Sequence, residues 1–247
     1  MALQEDMRSN GNWLFKYRSY LPLFIIVIGL GLYILKEFNE EFIFGQETLA
    51  EQLYNYFCLL VGLSGLFIRL HVVGYAAENT SGKNTAEQKA DEVNSTGIYS
   101  IVRHPLYLGN FLMWLGATLL IANIWFVLVF CLVYWVYYER IMYAEEAYLR
   151  DKFGDKYLNW ANSVPTFFPR LKNYKKPSLP FNFMKAIKSE KNSFAAFTLI
   201  FCLFDIIGQV ATGRYNFNYV FIGLSVFSLV AYIIIKNIKS RKPQVSI

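Results

Sequence analysis

Arg103, His104 and Pro105 stand together at the start of an apolar segment. Proline suits the first turn of a helix, because its missing N–H would have no partner there. The other amide groups of that turn then face the polar end of the segment, and helix N-termini attract anions. This block therefore predicts a site for an anionic group. The alternative is an arginine that reaches from an apolar segment to its polar edge.

Glu145 and Glu146 form the second unusual block. Adjacent carboxylates repel one another unless a cation lies nearby. Tyrosine faces stabilise cations by roughly 0.5–2 kcal/mol, and Tyr99 and Tyr107 flank the first block. The two blocks together would suit a ligand that carries both charges. The alternative is a solvated helix face on which Glu146 pairs with Arg150, four residues further on.

Long apolar segments must position these two blocks. The chain has 247 residues, of which 55% are hydrophobic and 18% aromatic. Segments with about the 17–25 residues that cross a bilayer lie at roughly 18–36, 53–74, 106–122, 124–141, 194–212 and 218–236. The predicted fold class is all-α, a polytopic transmembrane helical bundle of about six spans. The third and fourth spans form a tight hairpin at Asn123, which either crosses the membrane or dips in and returns.

The placement of lysine and arginine predicts how these spans are oriented. Eleven basic residues lie between Arg140 and Lys191, whereas Lys36 and Arg214 are the basic residues expected on the opposite side. Both blocks therefore fall on the cytosolic side. The basic residues behind the formal net charge of +6 flank the spans, which indicates the membrane surface and no nucleic-acid partner.

The segment after the fourth span is predicted to form a cytosolic helical cofactor-binding module. A helix continues the fourth span to Phe153, Gly154 caps it, and a short helix over about 156–163 ends at Val164-Pro165. Residues 177–193 have the pattern of an interfacial amphipathic segment. The predicted division of the chain is a tail with two spans, a core, and an interfacial segment with two spans, at 1–74, 75–170 and 171–247.

No metal site is expected from the sequence. The three cysteines lie inside apolar runs, and His71 and His104 are the two histidines, too few for a histidine-rich site. His71 and Arg69 stand near the cytosolic end of the second span, where ionisable residues are functional candidates by default. They are candidate contacts for the headgroup of a substrate, with snorkelling as the alternative.

In order and spacing, the two blocks resemble the membrane methyltransferases that include isoprenylcysteine carboxyl methyltransferase and the phospholipid methyltransferases. The resemblance covers about residues 75–170, roughly two-fifths of the chain. It rests on Gly97 and Tyr99, the run from Arg103 to Gly109, Glu145-Glu146 with Leu149, Phe153-Gly154 with Tyr157, and Val164-Pro165.

The resemblance implies S-adenosyl-L-methionine as the methyl donor. The cofactor-binding residues that it implies are Tyr99, His104, Pro105, Leu106, Tyr107, Gly109, Glu145 and Glu146, with Asp91 and Asn94 from the preceding loop. It further implies that Arg140 contacts the substrate, although its spacing from the glutamate pair is one residue longer than in the prenylcysteine enzymes. Arg103, which can hold an anionic group, is the second catalytic candidate.

The implied function is that of a membrane-embedded O-methyltransferase acting on an anionic lipid or lipid-anchored substrate. The Asn94 to Ser100 stretch is similar to bacterial relatives, so a phosphate like the 1-phosphate of lipid A is the first expectation, in a bacterial inner membrane with the site facing the cytosol. An isoprenylcysteine carboxylate or a phospholipid amine is the alternative acceptor. More distant hypotheses are an NADPH-dependent membrane sterol-type reductase and a non-catalytic scaffold.

Overall fold

Every regular element in the described part of the chain is a helix. The computed structural model describes residues 2–38, 48–77, 80, 88 and 90–238. The helices are α1 (Leu3–Lys16), α2 (Leu21–Phe38), α3 (Leu49–Tyr75), α4 (Pro105–Leu119), α5 (Ile124–Phe153), α6 (Asp155–Ala161), α7 (Phe183–Thr212) and α8 (Tyr219–Asn237). Short 3₁₀ turns lie at Ile98–Ser100 and Leu171–Asn173. The prediction of an all-α fold is confirmed.

Fewer helices than predicted are long enough to cross a membrane. Within the described ranges, four helices have the length and apolar character of a span: α3, α5, α7 and α8. The predicted third span, 106–122, is α4, which has 15 residues and extends about 22 Å, less than the roughly 30 Å of hydrocarbon. The predicted first span, 18–36, is α2, whose 18 residues reach about 27 Å. By length and composition the described residues therefore support four of the about six predicted spans. The length of α4 fits the alternative of a hairpin that dips in and returns, and α2 is at the limit of a span.

The N-terminal tail forms α1, a helix that packs along α5. The approach is close at Gly11, where an added Cβ would lie 2.2 Å from the Arg140 carbonyl oxygen. Phe15, one turn later, is buried, and the Tyr137 hydroxyl donates to the Leu14 carbonyl at 3.2 Å. A glycine and a phenylalanine four residues apart place one small and one apolar surface on the same face.

Glycines bring α3 and α4 into direct backbone contact. An added Cβ at Gly65 would lie 2.3 Å from the Gly109 carbonyl oxygen, and one at Gly116 would lie 2.6 Å from the Cys58 carbonyl oxygen. Small residues allow this close packing of membrane helices. This packing sets the C-terminal half of α3 beside the N-terminal half of α4.

The hairpin of α4 and α5, and the helix α6 that follows it, agree with the sequence prediction. Asn123 caps α5 by accepting a hydrogen bond from the Phe126 amide at 3.0 Å, and the Tyr54 hydroxyl donates to the Leu119 carbonyl at 2.7 Å. α5 runs without a break to Phe153. Gly154 then adopts a positive φ of 52°, which favours glycine, and α6 follows directly.

The predicted interfacial segment 177–193 is helical from residue 183 onward. Asn182 caps a helix by accepting from the Lys185 amide at 2.9 Å, and this helix, α7, continues for 30 residues to Thr212. The lysines of residues 185–191 are thus the first turns of a long helix that packs against α3, α4 and α8.

Candidate functional site

A cleft of about 960 Å³ opens where the N-terminal ends of α4 and α7 meet the C-terminal part of α5. Side chains of α1, the loop before the first 3₁₀ turn and α6 complete its walls. Most of the residues that the sequence analysis singled out line this cleft, namely Asn94, Tyr99, Arg103, His104, Pro105, Leu106, Tyr107 and Glu145. Two blocks about 40 residues apart in the sequence therefore form one site.

His104 lies between the two glutamates and directly precedes α4. Its Nε2 is 2.9 Å from Glu146 Oε1 and its Nδ1 is 3.6 Å from Glu145 Oε2. The ring also stacks on Tyr107, with centroids 5.7 Å apart. Burial lowers the pKa of His104, but its hydrogen bonds and charge interactions with the two glutamates outweigh burial, and the pKa is raised above its usual value.

Arg103 is held in place by the segment that follows α6. Its Nη1 pairs with Glu146 Oε2 at 2.7 Å, and its Nη2 donates to the Thr166 hydroxyl. The Arg103 amide donates to the Pro165 carbonyl at 2.9 Å, and the His104 amide donates to the Thr166 carbonyl at 3.3 Å. Pro165 and Thr166 therefore hold the first block in place beside α5.

The two glutamates have different roles in this arrangement. Both carboxylate oxygens of Glu146 are taken, one by Arg103 and one by His104. Glu145 instead lines the cleft, where it hydrogen bonds with Tyr107 and lies close to Tyr99. Burial first, and then the Glu145 carboxylate, raises the pKa of Tyr99. A carboxylate beside two neutral tyrosines is an environment suited to a cation.

Four predicted site residues do not line the cleft, and Glu146, engaged by Arg103 and His104, is one of them. Arg140 donates to the Val136 carbonyl at 3.2 Å, one turn back along α5, and its own carbonyl faces α1. Gly109 is a packing position, because an added Cβ would lie 2.6 Å from Arg69 Cγ. Asp91 is exposed and does not line the cleft, whereas Asn94 of the same loop does and hydrogen bonds with Tyr99.

One polar cluster in the cleft wall was largely missed by sequence reasoning. Arg69 of α3 pairs with Glu190 of α7 through its Nε and Nη2, at 2.7 and 2.9 Å, and its Nη1 donates to Asn110 Oδ1 at 2.5 Å. Glu190 is only 2% exposed. The position of Arg69 in a span was a signal, but its partner lies 121 residues away. His71, the other candidate, instead lines a smaller cavity of about 290 Å³.

No group of three or more potential metal ligands occurs among the residues that the structure describes. The cleft itself offers charged side chains and tyrosine faces. They include the Glu145 carboxylate, an imidazole held between carboxylates, and an arginine in a fixed position.

Residues 55–156 match the family model described as phospholipid methyltransferase. The similarity to that family lies in this segment. It contains α4, α5, most of α3 and every residue of both blocks. Helices α1, α2, α7 and α8 lie outside the matched segment, although α1 and α7 contribute to the cleft.

Several named relatives match part of this chain. The chain is 35% identical over 106 residues to the protein-S-isoprenylcysteine O-methyltransferase of Schizosaccharomyces pombe, which covers 42% of this chain and 45% of that one. It is 34% identical over 113 residues to the Saccharomyces cerevisiae protein of the same name, covering 45% and 47%. It is also 31% identical over 119 residues to the cobalt-zinc-cadmium resistance protein CzcN of Cupriavidus metallidurans, covering 47% and 52%.

The chain spans about half the length of the curated relatives it matches. No solved structure matches the chain.

The charge state of His104 predicts a pH-dependent stability. Because its folded pKa lies above the unfolded value of about 6.5, its contribution is complete below that value and is lost as pH rises through the folded pKa. We expect the melting temperature of the purified protein to fall more steeply above pH 6.5 in wild type than in His104→Gln. Wild-type and His71→Gln proteins should show the same slope. Equal slopes in wild type and His104→Gln would contradict a raised pKa.

Proposed function

We propose that the protein is a membrane-embedded methyltransferase that transfers a methyl group from S-adenosyl-L-methionine to an anionic oxygen of a lipid-anchored acceptor. The observation that carries the proposal is the placement of Glu145, Tyr99 and Tyr107 around one cleft within the segment that matches the phospholipid methyltransferase family. A carboxylate and two aromatic faces complement the positive groups of such a donor.

The charges of the cleft fit the whole donor. S-adenosyl-L-methionine carries an ammonium, a sulfonium and a carboxylate. Glu145 can pair with the ammonium, and the tyrosines can face the sulfonium. The Leu106 amide in the first turn of α4 suits the carboxylate. Arg103 and His104 are both held in fixed positions at that end of the cleft by Glu146.

When bound, the donor supplies an electrophilic methyl group. An acceptor oxygen that is already an anion needs no general base, because the O–CH₃ bond forms as the S–CH₃ bond breaks and no proton moves. The residues of the cleft then contribute by holding the two reactants in line, about 3–3.5 Å apart, and by excluding water. The fixed network around His104 is the part of the chain best suited to that role.

The names of the relatives favour an isoprenylcysteine carboxylate over a phosphate like that of lipid A as the acceptor. We therefore place the carboxylate first and keep the phosphate as the second candidate. The basic residues of α5, α6 and α7 support a site that faces the cytosol, and the similarity to a Cupriavidus protein is consistent with a bacterial inner membrane.

Two measurements on the protein in lipid nanodiscs test the proposal. We expect saturable binding of S-adenosylhomocysteine by calorimetry. We also expect transfer of a radiolabelled methyl group to a farnesylated cysteine derivative, with a farnesyl phosphate as the competing acceptor. Methylation of the phosphate alone would restore the lipid phosphate as the acceptor. Saturable NADPH binding without S-adenosylhomocysteine binding would replace the methyltransferase with the reductase alternative.

A further inference from the structure

The cleft does not end at the donor-binding residues. It continues between α4 and α7 toward the interior of the bundle, and the side chains along both helices change character in the same direction. Because both helices begin at the cytosolic side under the proposed orientation, position along each helix corresponds to depth in the membrane.

The α7 residues that line the cleft are Lys185, every residue from Lys188 to Ser193, Ala196, Phe197 and Ile200. Within this set, Lys188, Asn192, Ala196 and Ile200 stand four positions apart and form one stripe of the helix. The lining carries its lysines at the cytosolic end, has Asn192 and Ser193 next, and is apolar at its inner end. From Lys185 to Ile200 it extends about 22 Å.

The facing wall on α4 shows the same gradient. Tyr107 and Asn110 line the cleft near the cytosolic end, and Met113, Trp114 and Ala117 line it further in. Two walls that change together from polar to apolar match the two parts of an amphiphile, an anionic group and a hydrocarbon chain.

The charge of the cytosolic end is not cancelled by the acidic residue beside it. Glu190 lies between Lys188 and Lys191 in the sequence, but its carboxylate is engaged by Arg69 on the opposite helix. The same pair ties α7 to α3 at the level where the stripe changes from polar to apolar. Its geometry therefore holds the α7 wall at a fixed distance from the donor-binding residues.

Resting on the methyltransferase function above, we propose that the stripe of α7 formed by Lys188, Asn192, Ala196 and Ile200 is the acceptor-binding wall of the cleft. Its ligand is a single-chain anionic amphiphile, with the anionic group at Lys188 and the chain between α4 and α7. The total volume of about 960 Å³ is at the upper end of the roughly 300–1,000 Å³ of small-molecule sites. It suits the donor with one chain rather than a lipid with several chains.

Photo-crosslinking in nanodiscs tests the assignment without requiring turnover. The probe is an alkyl phosphate that carries a diazirine near the end of its chain, and adducts are located by mass spectrometry. We expect adducts on α7 around residues 196–200. Ala196→Trp, which fills the groove, should reduce them at least about tenfold. Leu199→Trp, on the exposed side of the same helix, should leave them unchanged.

A second variant tests the polar end and covers the case in which Ala196→Trp does not fold. Lys188→Glu should reduce adducts of the phosphate probe by about fivefold and leave those of an alkyl alcohol probe of equal length unchanged. Equal adduct yields on α8 and α7, or no effect of Lys188→Glu, would overturn the proposal. Intact crosslinking without methyl transfer would instead count against the methyltransferase function and leave the acceptor wall in place.

Discussion

Glu145→Gln is expected to weaken binding of S-adenosylhomocysteine by about 10- to 100-fold and to leave the melting temperature nearly unchanged. A hydrogen bond to a charged group contributes roughly 1.5–3 kcal/mol, which corresponds to that range of affinity. The carboxylate of Glu145 lines the cleft, whereas its contact with His104 is long, at 3.6 Å. Calorimetry and thermal unfolding in the same nanodiscs measure both effects.

Glu146→Gln is the matched control, because it changes the adjacent residue in the same way. Glu146 pairs with Arg103 at 2.7 Å and with His104 at 2.9 Å. Its replacement should lower the free energy of unfolding by about 1–3 kcal/mol and weaken ligand binding as a consequence. If Glu146→Gln abolished binding in a fully stable protein while Glu145→Gln bound normally, the assigned roles would be reversed.

Gly65→Ala is expected to destabilise the protein by about 1–3 kcal/mol, the usual cost of overpacking, although alanine is the better helix former by up to about 1 kcal/mol. The added Cβ would meet backbone atoms of α4, the Gly109 carbonyl oxygen at 2.3 Å and the Met113 amide nitrogen at 2.7 Å. Backbone atoms cannot rotate away as a side chain can. The two helices must therefore separate at the level of Arg69 and Asn110.

Gly223→Ala is the control for this change. Gly223 also lies in a membrane helix, α8, but an added Cβ there has nothing within 4 Å. We expect Gly223→Ala to unfold at or slightly above the wild-type temperature. A similar melting temperature for both variants would show that α3 and α4 are not packed through their glycines.

The parts of the fold that the sequence predicted correctly are those with local signals. These signals depend on neighbouring residues alone. They are Pro105 at the first position of α4, the turn at Asn123 and Gly154 at the end of α5. The sequence also predicted that the two blocks lie close together, because a hairpin returns the chain to the face where it began. That prediction required no knowledge of distant segments.

The parts that could not be predicted depend on distant packing. Adjacent residues on a helix point about 100° apart, so sequence alone could not decide whether Glu145 or Glu146 faces the cleft. Gly109 stood inside a motif that implies ligand binding, yet its neighbour is Arg69 of another helix. Arg140 is close in sequence to the glutamates, but its side chain donates to the Val136 carbonyl and its own carbonyl faces α1.

The shortness of α4 affects the surrounding lipid. With about 22 Å of helix in a bilayer whose hydrocarbon is roughly 30 Å thick, the turn at Asn123 must lie below the outer surface or the bilayer must thin around it. The polar groups of the turn have partners within the protein. Asn123 accepts from the Phe126 amide, and Tyr54 donates to the Leu119 carbonyl. Backbone groups at that depth need partners within the protein. Where the bilayer thins instead, the cost grows with its thickness, so this hairpin is accommodated most easily in a thin membrane.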